Sequence, residues 1–383
     1  MRIAQLAPVA EAVPPLLYGG TERVVDWLTT ELVRRGHEVT LFASGDSRTT
    51  ATLVPVRPNA LRLNTPPLYD GTAWSLVGAL ELLERVGEFD VVHNHLDFLA
   101  LPALRGTGVP VVTTLHGRLD VDGLAPVYRH LRDCPLIAIS DDQRAQLPEA
   151  HWVGTVHHGL PLECYEPGPG RGDYLVFLGR ISPEKRPHVA IEAARRAGVR
   201  LVVAAKVDSV DRVYFEETVA PLLRAPGIEF IGEVDEAGKA ALLRDARALL
   251  FPILWPEPFG IAMVEAMAYG APVITRRCGS TPEIVLDGVS GFVCDDDEAI
   301  VRAIGQIDRL DRAACRRRVE ERFSVERMAD DYEAIFMGLR RDVKAPPRPQ
   351  RRASVSTGPA PATAASTAAD ARPRRPPARA RPA

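Results

Sequence analysis

The chain has few cysteines, no long apolar run and no segment repeated at a fixed period, and each shortage excludes a class of protein. Its 383 residues include five cysteines, never spaced Cys-x-x-Cys, so neither a disulfide framework nor a zinc knuckle is indicated. No apolar stretch approaches the ~18 residues of a membrane span, and the first residues lack the pattern of a signal peptide. These absences predict a cytoplasmic protein.

Charge is unevenly distributed along the chain. The net charge is −3, yet residues 344–383 contain nine basic residues and one acid, which leaves −11 on residues 1–343. An acidic body argues against nucleic acid as a partner. The end is rich in Ala, Pro, Arg, Ser and Thr, so we expect a disordered basic tail. Peripheral contact with an anionic membrane is conceivable, but a solvated extension is the simpler expectation.

The pattern along the chain predicts an α/β protein of two domains. Short apolar runs alternate with helical patterns, which is typical of parallel sheets covered by helices on both faces. A length of 383 residues also suits two domains. The predicted organisation is an N-terminal Rossmann-like domain at 1–160, a linker at 161–172, a C-terminal Rossmann-like domain at 173–324, a final helix at 325–341 and the disordered tail at 344–383.

Twelve strands are predicted, six in each half, together with helices such as Gly20–Arg35 and Ala73–Val86. The strands of the first half are Arg2–Leu6, Glu38–Phe42, Asp90–His93, Pro110–Thr114, Leu136–Ile139 and Gly154–His157. Those of the second half are Tyr174–Leu178, Leu201–Ala204, Glu229–Ile231, Leu249–Ile253, Pro272–Thr275 and Gly291–Val293. Ligands of such sheets bind beyond the carboxyl ends of the strands, so candidate site residues are sought there.

The segment from Glu257 to Glu265 is the most informative part of the sequence. Glu265 is the only charged residue in the apolar helical stretch after Gly260, and a carboxylate on a dry face needs donors such as ligand hydroxyls. The turn Pro258-Phe259-Gly260 leaves the first helical amides free, and free amides at a helix N-terminus attract phosphate. The alternative is that Glu257 caps the helix and Glu265 forms a buried ion pair with an arginine.

A second candidate feature is a pair of cations, Arg180 and Lys185, in the loop after the strand Tyr174–Leu178. Only four of the 47 basic residues are lysines, so composition alone does not account for Lys185. A compact ammonium and a planar guanidinium together suit a diphosphate. The alternative is a solvated pair of surface charges.

The first half offers a glycine loop and three histidines. Gly19-Gly20 opens a helix and would let a ligand approach the backbone closely, although the dinucleotide fingerprint Gly-x-Gly-x-x-Gly is absent. His93, His95 and His116 follow strands at the same predicted rim, and His116 is the best placed. A histidine that is merely hydrogen-bonded is the alternative. A metal site lacks support because no carboxylate or thiolate spacing accompanies them.

Together these residues resemble the family 4 retaining glycosyltransferases, whose GT-B architecture consists of two facing Rossmann-like doubly wound domains. The resemblance extends from residue 1 to about residue 340. Its matching pieces are Gly19-Gly20, Asp90–His93, His116-Gly117, Ser140, His158-Gly159, Gly179-Arg180 with Lys185, Gly232-Glu233, and the pair Glu257 and Glu265 with seven residues between them. The most specific piece is the segment from Glu257 to Glu265 with Pro258-Phe259-Gly260, and Arg180 with Lys185 comes next.

The resemblance implies a role for each matching residue. The implied catalytic residues are His116, Arg180, Lys185 and Glu257. The implied donor-binding residues are Gly19, Gly20, Arg180, Lys185, Gly232, Glu257, Phe259, Gly260, Ile261, Ala262 and Glu265. In that scheme the two cations and the helix amides hold the diphosphate, Glu265 holds the ribose, Glu257 holds the transferred sugar, and His116 contacts that sugar from the opposite domain.

The resemblance also implies the reaction, which is retaining transfer of a hexosyl group from a nucleotide sugar without a metal or another cofactor. Uracil is the expected base, while guanine and adenine stay open because Phe251–Pro256 lacks a small hydroxyl residue that many relatives have. The acceptor could be a small molecule, a lipid-linked molecule or a polysaccharide. Two alternatives are a sugar-nucleotide epimerase of the same fold and a non-catalytic nucleotide-sugar binding protein.

Overall fold

A computed structural model describes residues 1–17, 19–62 and 70–344 of the chain. Residues 1–345 form one compact unit. The tail predicted as disordered lies outside the described residues beyond Lys344.

The described chain forms two parallel sheets. The first has the order β3-β2-β1-β4-β5-β6-β7, and the second has the order β10-β9-β8-β11-β12-β13. The first sheet contains β1 Arg2–Leu6, β2 Glu38–Ser44, β3 Thr52–Arg57, β4 Val91–Asn94, β5 Val111–Thr114, β6 Leu136–Ala138 and β7 Trp152–Thr155. The second contains β8 Tyr174–Arg180, β9 Arg200–Lys206, β10 Ile228–Gly232, β11 Ala248–Phe251, β12 Val273–Arg276 and β13 Gly291–Cys294. Both sheets are doubly wound, because the strand order reverses beside β1 and again beside β8.

Helices connect the strands and cover the sheets. They are α1 Gly20–Arg34, α2 Gly71–Arg85, α3 Leu101–Leu104, α4 Leu124–His130, α5 Asp141–Ala145, α6 Pro187–Ala197, α7 Arg212–Tyr214, α8 Glu236–Asp245, α9 Ile261–Ala268, α10 Thr281–Ile284, α11 Asp297–Ile304, α12 Arg312–Arg322 and α13 Val325–Lys344. Within the described ranges, none of these helices combines the length and the apolar character that crossing a bilayer requires.

The sequence prediction missed one strand and misplaced another. Strand β3 was not predicted because it is a half-exposed edge strand that contains Pro55, and proline is tolerated at a sheet edge. Strand β7 begins at Trp152, two residues before the predicted start, and its pairing with β6 shifts register at Gly154. Strands β8 and β9 both run further than predicted, so Arg180 and Lys206 are the last residues of neighbouring strands.

The last helix, α13, packs on the first sheet although the chain reaches it from the second. Tyr332 and Phe336 are fully buried in a core that also contains Ile3, Val91 and Val112 of the first sheet. The Tyr332 hydroxyl lies 3.0 Å from Thr114 Oγ1 at the end of β5. The core of the first domain is therefore completed by residues from the end of the described chain.

We expect Phe336→Ala to lower the free energy of unfolding by about 3–5 kcal/mol, because it removes a fully buried ring from this core. The matched control is Met337→Ala, since Met337 is the next residue of α13 and is 46% exposed. Urea unfolding followed by circular dichroism measures both variants. Equal losses in the two would contradict the packing of α13 on the first sheet.

Candidate active site

A cleft of about 580 Å³ lies between the carboxyl ends of the two sheets, and both halves of the chain line it. It contains nearly all of the residues that the sequence singled out. From the first half these are Gly19, Gly20 and His116, and from the second they are Arg180, Lys185, Glu257, Phe259, Gly260, Ile261, Ala262 and Glu265. Gly232 is the exception, because its neighbours Glu233 and Val234 line the cleft and Gly232 does not.

Two helix N-termini meet in this cleft. Helix α1 begins at Gly20 and helix α9 begins at Ile261, and a Cβ atom placed on Gly20 would lie 3.5 Å from the Ile261 Cδ1 atom. The residue before each helix is a glycine, which has no side chain to cap the first amides, so Glu257 is not the N-cap that one interpretation of the sequence expected. The positive ends of two helix dipoles therefore face one space, which favours a bound anion.

Glycine geometry makes this approach possible. Gly260, which precedes α9, has φ +81°, a conformation that other residues rarely adopt. Gly19, which precedes α1, has φ +156°, and a Cβ atom on it would lie 2.7 Å from the Pro15 Cβ atom. Side chains at these two positions would displace the backbone that delivers the free amides.

Arg180 and Lys185 flank the two helix ends, and each is already paired with carboxylates. Arg180 bonds to Glu184, and its Nε atom lies 3.4 Å from the Asp211 Oδ2 atom. Lys185 bonds to Glu257, and its Nζ atom lies 4.9 Å from the centre of the Trp255 ring. An incoming anion would therefore exchange with carboxylate partners and would find the cations already oriented.

Glu265 is buried, and its two oxygens differ in their surroundings. Its Oε1 atom accepts hydrogen bonds from Lys239 Nζ at 2.5 Å and from the Tyr165 hydroxyl at 3.3 Å. Its Oε2 atom makes no hydrogen bond with any residue in the described part of the chain. The interpretation that Glu265 pairs with an arginine is corrected, because its partner is Lys239. One oxygen stays available to a ligand that donates hydrogen bonds.

Lys206 and Lys239 are site residues that the sequence reasoning missed. Both line the cleft beside Lys185, so three of the four lysines of the chain are gathered there. Lys206 ends β9 in register with Arg180 on β8, and it pairs with Asp208. The scarcity of lysine, which drew attention to Lys185, was a signal that could have identified the other two.

The histidines form a buried, hydrogen-bonded stack with His116 at the cleft. His116 Nε2 lies 2.8 Å from His95 Nδ1, and His95 Nε2 lies 2.8 Å from Gln5 Oε1. The His116 ring also stacks on His158, another residue that lines the cleft. His93 points elsewhere and bonds to Thr114 Oγ1 at 2.8 Å. Of the three candidates, His116 is the one that lines the cleft.

Burial controls the protonation of several cleft residues. It lowers the pKa of His116 to about 3, so this imidazole is neutral at pH 7. It raises the pKa of Glu22, which is in the first turn of α1 and lines the cleft, to about 7. Among the described residues, no three metal-ligating side chains converge on one point. His116 can therefore act by hydrogen bonding and orientation, not as a cation.

Trp255 lies in Phe251–Pro256, the segment that lacks the small hydroxyl residue of many relatives. Its ring is close to two cations, because the Arg118 guanidinium of the first half lies 5.2 Å from the ring centre and Lys185 Nζ lies 4.9 Å from it. Its indole Nε1 atom is buried and has no hydrogen-bond partner among the described residues. The run Phe251–Pro256 thus gives the cleft an aromatic wall with one unused donor.

Two family models match the chain in succession. The model "Glycosyltransferase Family 4" matches residues 18–153, and the model "Glycosyl transferases group 1" matches residues 167–322. The chain is 27% identical over 395 residues to a glycogen synthase of Mycobacterium tuberculosis, covering 87% of this chain and 94% of that protein. It is 28% identical over 393 residues to a D-inositol 3-phosphate glycosyltransferase of Mycolicibacterium smegmatis, covering 88% and 90%.

Solved structures show the same fold at lower identity. The glycosyltransferase AviGT4 of avilamycin A biosynthesis has a TM-score of 0.66 and 22% identity, with 89% of this chain and 98% of that chain covered. A sucrose-phosphate synthase from Thermosynechococcus elongatus has a TM-score of 0.71 and 18% identity, with 88% and 98% covered. Anabaena HepE in complex with UDP-glucose has a TM-score of 0.67 and 17% identity, with 88% and 100% covered. The GT-B fold class predicted from the sequence is confirmed.

The buried histidines predict a specific pH dependence of stability. Burial holds the pKa of His93 well below its usual value, so below about pH 6.5 the unfolded chain takes up a proton that the folded chain does not. The stability that comes from keeping His93 neutral and buried is fully present above the unfolded pKa, and it is lost as the pH falls. Between pH 6.5 and 5.5, His93→Gln should therefore lose about 1 kcal/mol less stability than the unmodified protein.

Urea unfolding at both pH values measures this difference. The exposed His130→Gln is the matched control and should keep the slope of the unmodified protein. If His93→Gln showed that same slope, burial of His93 would not be the cause.

Proposed function

The chain belongs to the family 4 glycosyltransferases, and we propose that it transfers a hexosyl group from a UDP-sugar with retention at the anomeric carbon and without a metal. The observation that carries this proposal is the meeting of the α1 and α9 N-termini beside Arg180 and Lys185. Free amides, two helix dipoles and two cations at one place suit the diphosphate of a nucleotide sugar.

The chemistry depends on charge that develops on the departing diphosphate. Arg180 and Lys185 stand where that charge would appear, and preorganised cations of this kind stabilise a transition state more than a ground state. The sugar passes through an oxocarbenium-like state, and the leaving diphosphate takes the proton of the acceptor. This division of roles assigns no nucleophile to the protein, and it assigns no metal or further cofactor.

The nucleoside half of the donor would lie along α8 and α9. Glu265 Oε2 is the acceptor for the ribose hydroxyls, because Oε1 is already held by Lys239 and Tyr165. Glu233 and Val234, at the end of β10, border the base. HepE crystals contain UDP-glucose in the same fold, which supports UDP as the nucleotide.

The transferred sugar would lie between the two domains. Glu257 and the backbone of Phe259 and Gly260 approach it from the second domain, and His116 approaches it from the first. A neutral His116 can accept or donate a hydrogen bond to a sugar hydroxyl without repelling the oxocarbenium charge. Its bond to His95 fixes the plane of the ring.

One observation supports the epimerase alternative, and the assay is therefore designed to test for it. That chemistry needs acid and base groups in the first domain, and Glu11 and Glu22 line the cleft there with their pKa values raised by burial. An arm without acceptor therefore accompanies each transfer assay. Conversion of the UDP-sugar to its epimer in that arm would favour the alternative over transfer.

We expect UDP to raise the melting temperature in the presence of EDTA. At a concentration 100-fold above the dissociation constant, binding should add about 2.7 kcal/mol of apparent stability. GDP and ADP under the same conditions test the choice of base, and Lys185→Ala is the control that weakens the diphosphate site. If none of the three nucleotides produced a shift, the donor site would have been assigned wrongly.

Four variants separate binding from chemistry. We expect His116→Ala to lower turnover by about 10² to 10³ with little change in the UDP dissociation constant, since it acts near the reacting carbon. Arg180→Ala and Lys185→Ala should weaken UDP binding and turnover together, and Glu265→Ala should mainly weaken UDP binding. Calorimetry and steady-state kinetics measure the two quantities. A His116→Ala enzyme with unchanged turnover would make this histidine a structural residue.

A further inference from the structure

A line of alternating charges crosses the cleft from the first domain to Glu265. Arg23 Nη2 on α1 lies 3.0 Å from Glu236 Oε1 on α8. The same Glu236 oxygen lies 2.8 Å from Lys239 Nζ, which in turn lies 2.5 Å from Glu265 Oε1. One carboxylate oxygen is thus shared by a cation of each domain.

Arg23 also holds the loop that precedes its own helix. It lies three residues after Gly20, and its Nη2 atom donates to the Leu17 carbonyl oxygen at 2.9 Å. Leu17 comes two residues before Gly19. One guanidinium nitrogen therefore connects the Gly19-Gly20 loop to the second domain.

The exposures of the two partners show which of them depends on the bridge. The side chain of Arg23 is only 10% exposed, whereas that of Glu236 is 47% exposed. A buried cation that loses its carboxylate is destabilised more than an exposed carboxylate that loses its cation. The bridge therefore favours the arrangement in which Arg23, with its loop, stays against the second domain.

In that arrangement, Gly20 lies next to Ile261, the first residue of α9. If the loop moved away, the α1 amides would leave the diphosphate site, while Arg180, Lys185 and Glu265 would stay with the second domain. Binding of the nucleotide and placement of the loop are therefore separable events. The charge line links them through the carboxylate that is proposed to hold the ribose.

We propose that Arg23 is a positioning residue for the transfer reaction, which holds the Gly19-Gly20 loop over the donor diphosphate through its ion pair with Glu236. The inference rests on the proposed function, since it takes the donor to be a UDP-sugar. Arg23 acts through the loop and Glu236, so its loss should affect loop placement and turnover more than the affinity for UDP.

The test is hydrogen exchange of the amides of residues 19–23 with and without UDP, in EDTA, measured on the full chain. UDP should protect these amides in the unmodified protein, and Arg23→Gln should reduce that protection about tenfold with a UDP dissociation constant within about twofold. The matched control is Arg34→Gln, because the exposed Arg34 is on the same helix and its partner Glu31 keeps a second ion pair with Arg35. It should behave as the unmodified protein.

A double-mutant cycle tests the pair of Arg23 and Glu236 by a second measurement, the rate of UDP release. Release of UDP from UDP-glucose should fall about tenfold in Arg23→Gln and in Glu236→Gln, and the double variant should be no slower than either. Arg23→Lys, which keeps the charge, should recover part of the rate. Independent effects that multiply in the double variant would overturn the coupling.

The outcomes separate this inference from the proposed function. If UDP binds and protects the loop equally in the unmodified protein and in Arg23→Gln, the positioning role is wrong and the donor site stands. If UDP does not bind the unmodified protein, the donor site itself is wrong, and the inference falls with it.

Discussion

The close approach of Gly20 to Ile261 is the constraint on which the site depends, because it brings the positive ends of α1 and α9 into one space. Two like dipole ends that face one space favour negative charge between or beside them. Carboxylates satisfy this condition at the rim, where Lys185 is held by Glu257 and Arg180 by Glu184. Each doubly wound domain thus contributes one helix end, and the ligand space is defined by both.

The cleft is close to electrically balanced, and burial accounts for much of that balance. Cations and carboxylates are paired around the lining, while the histidines of the first domain are kept neutral by the loss of water. Paired charges at short range give strong local fields without a large net charge. Such a site can favour a diphosphate at one point and still accept neutral sugar hydroxyls a few ångströms away.

The sequence predicted those parts of the site that are local in the chain. Glu257 and Glu265 are eight residues apart in one turn-and-helix segment, and Arg180 and Lys185 are five residues apart at the end of β8, so each pair is visible in the sequence. The partner of Glu265 could not, because Lys239 reaches it only through the packing of α8 beside α9. The edge strand β3 was missed for a related reason, since half-exposed positions and Pro55 weaken the apolar pattern. Glu233 lines the cleft and Gly232 does not, and the roles assigned to all of these residues stay predictions.

The return of α13 to the first sheet affects how the protein is made. A nascent chain emerges from its N-terminus, yet Tyr332 and Phe336 complete the core that contains Ile3 and Val91. The first domain therefore waits for synthesis of the whole second domain before its hydrophobic face is covered. For the same reason, the two domains are not separable blocks of sequence, and exchange of the first domain between related enzymes must carry both ends of the described chain.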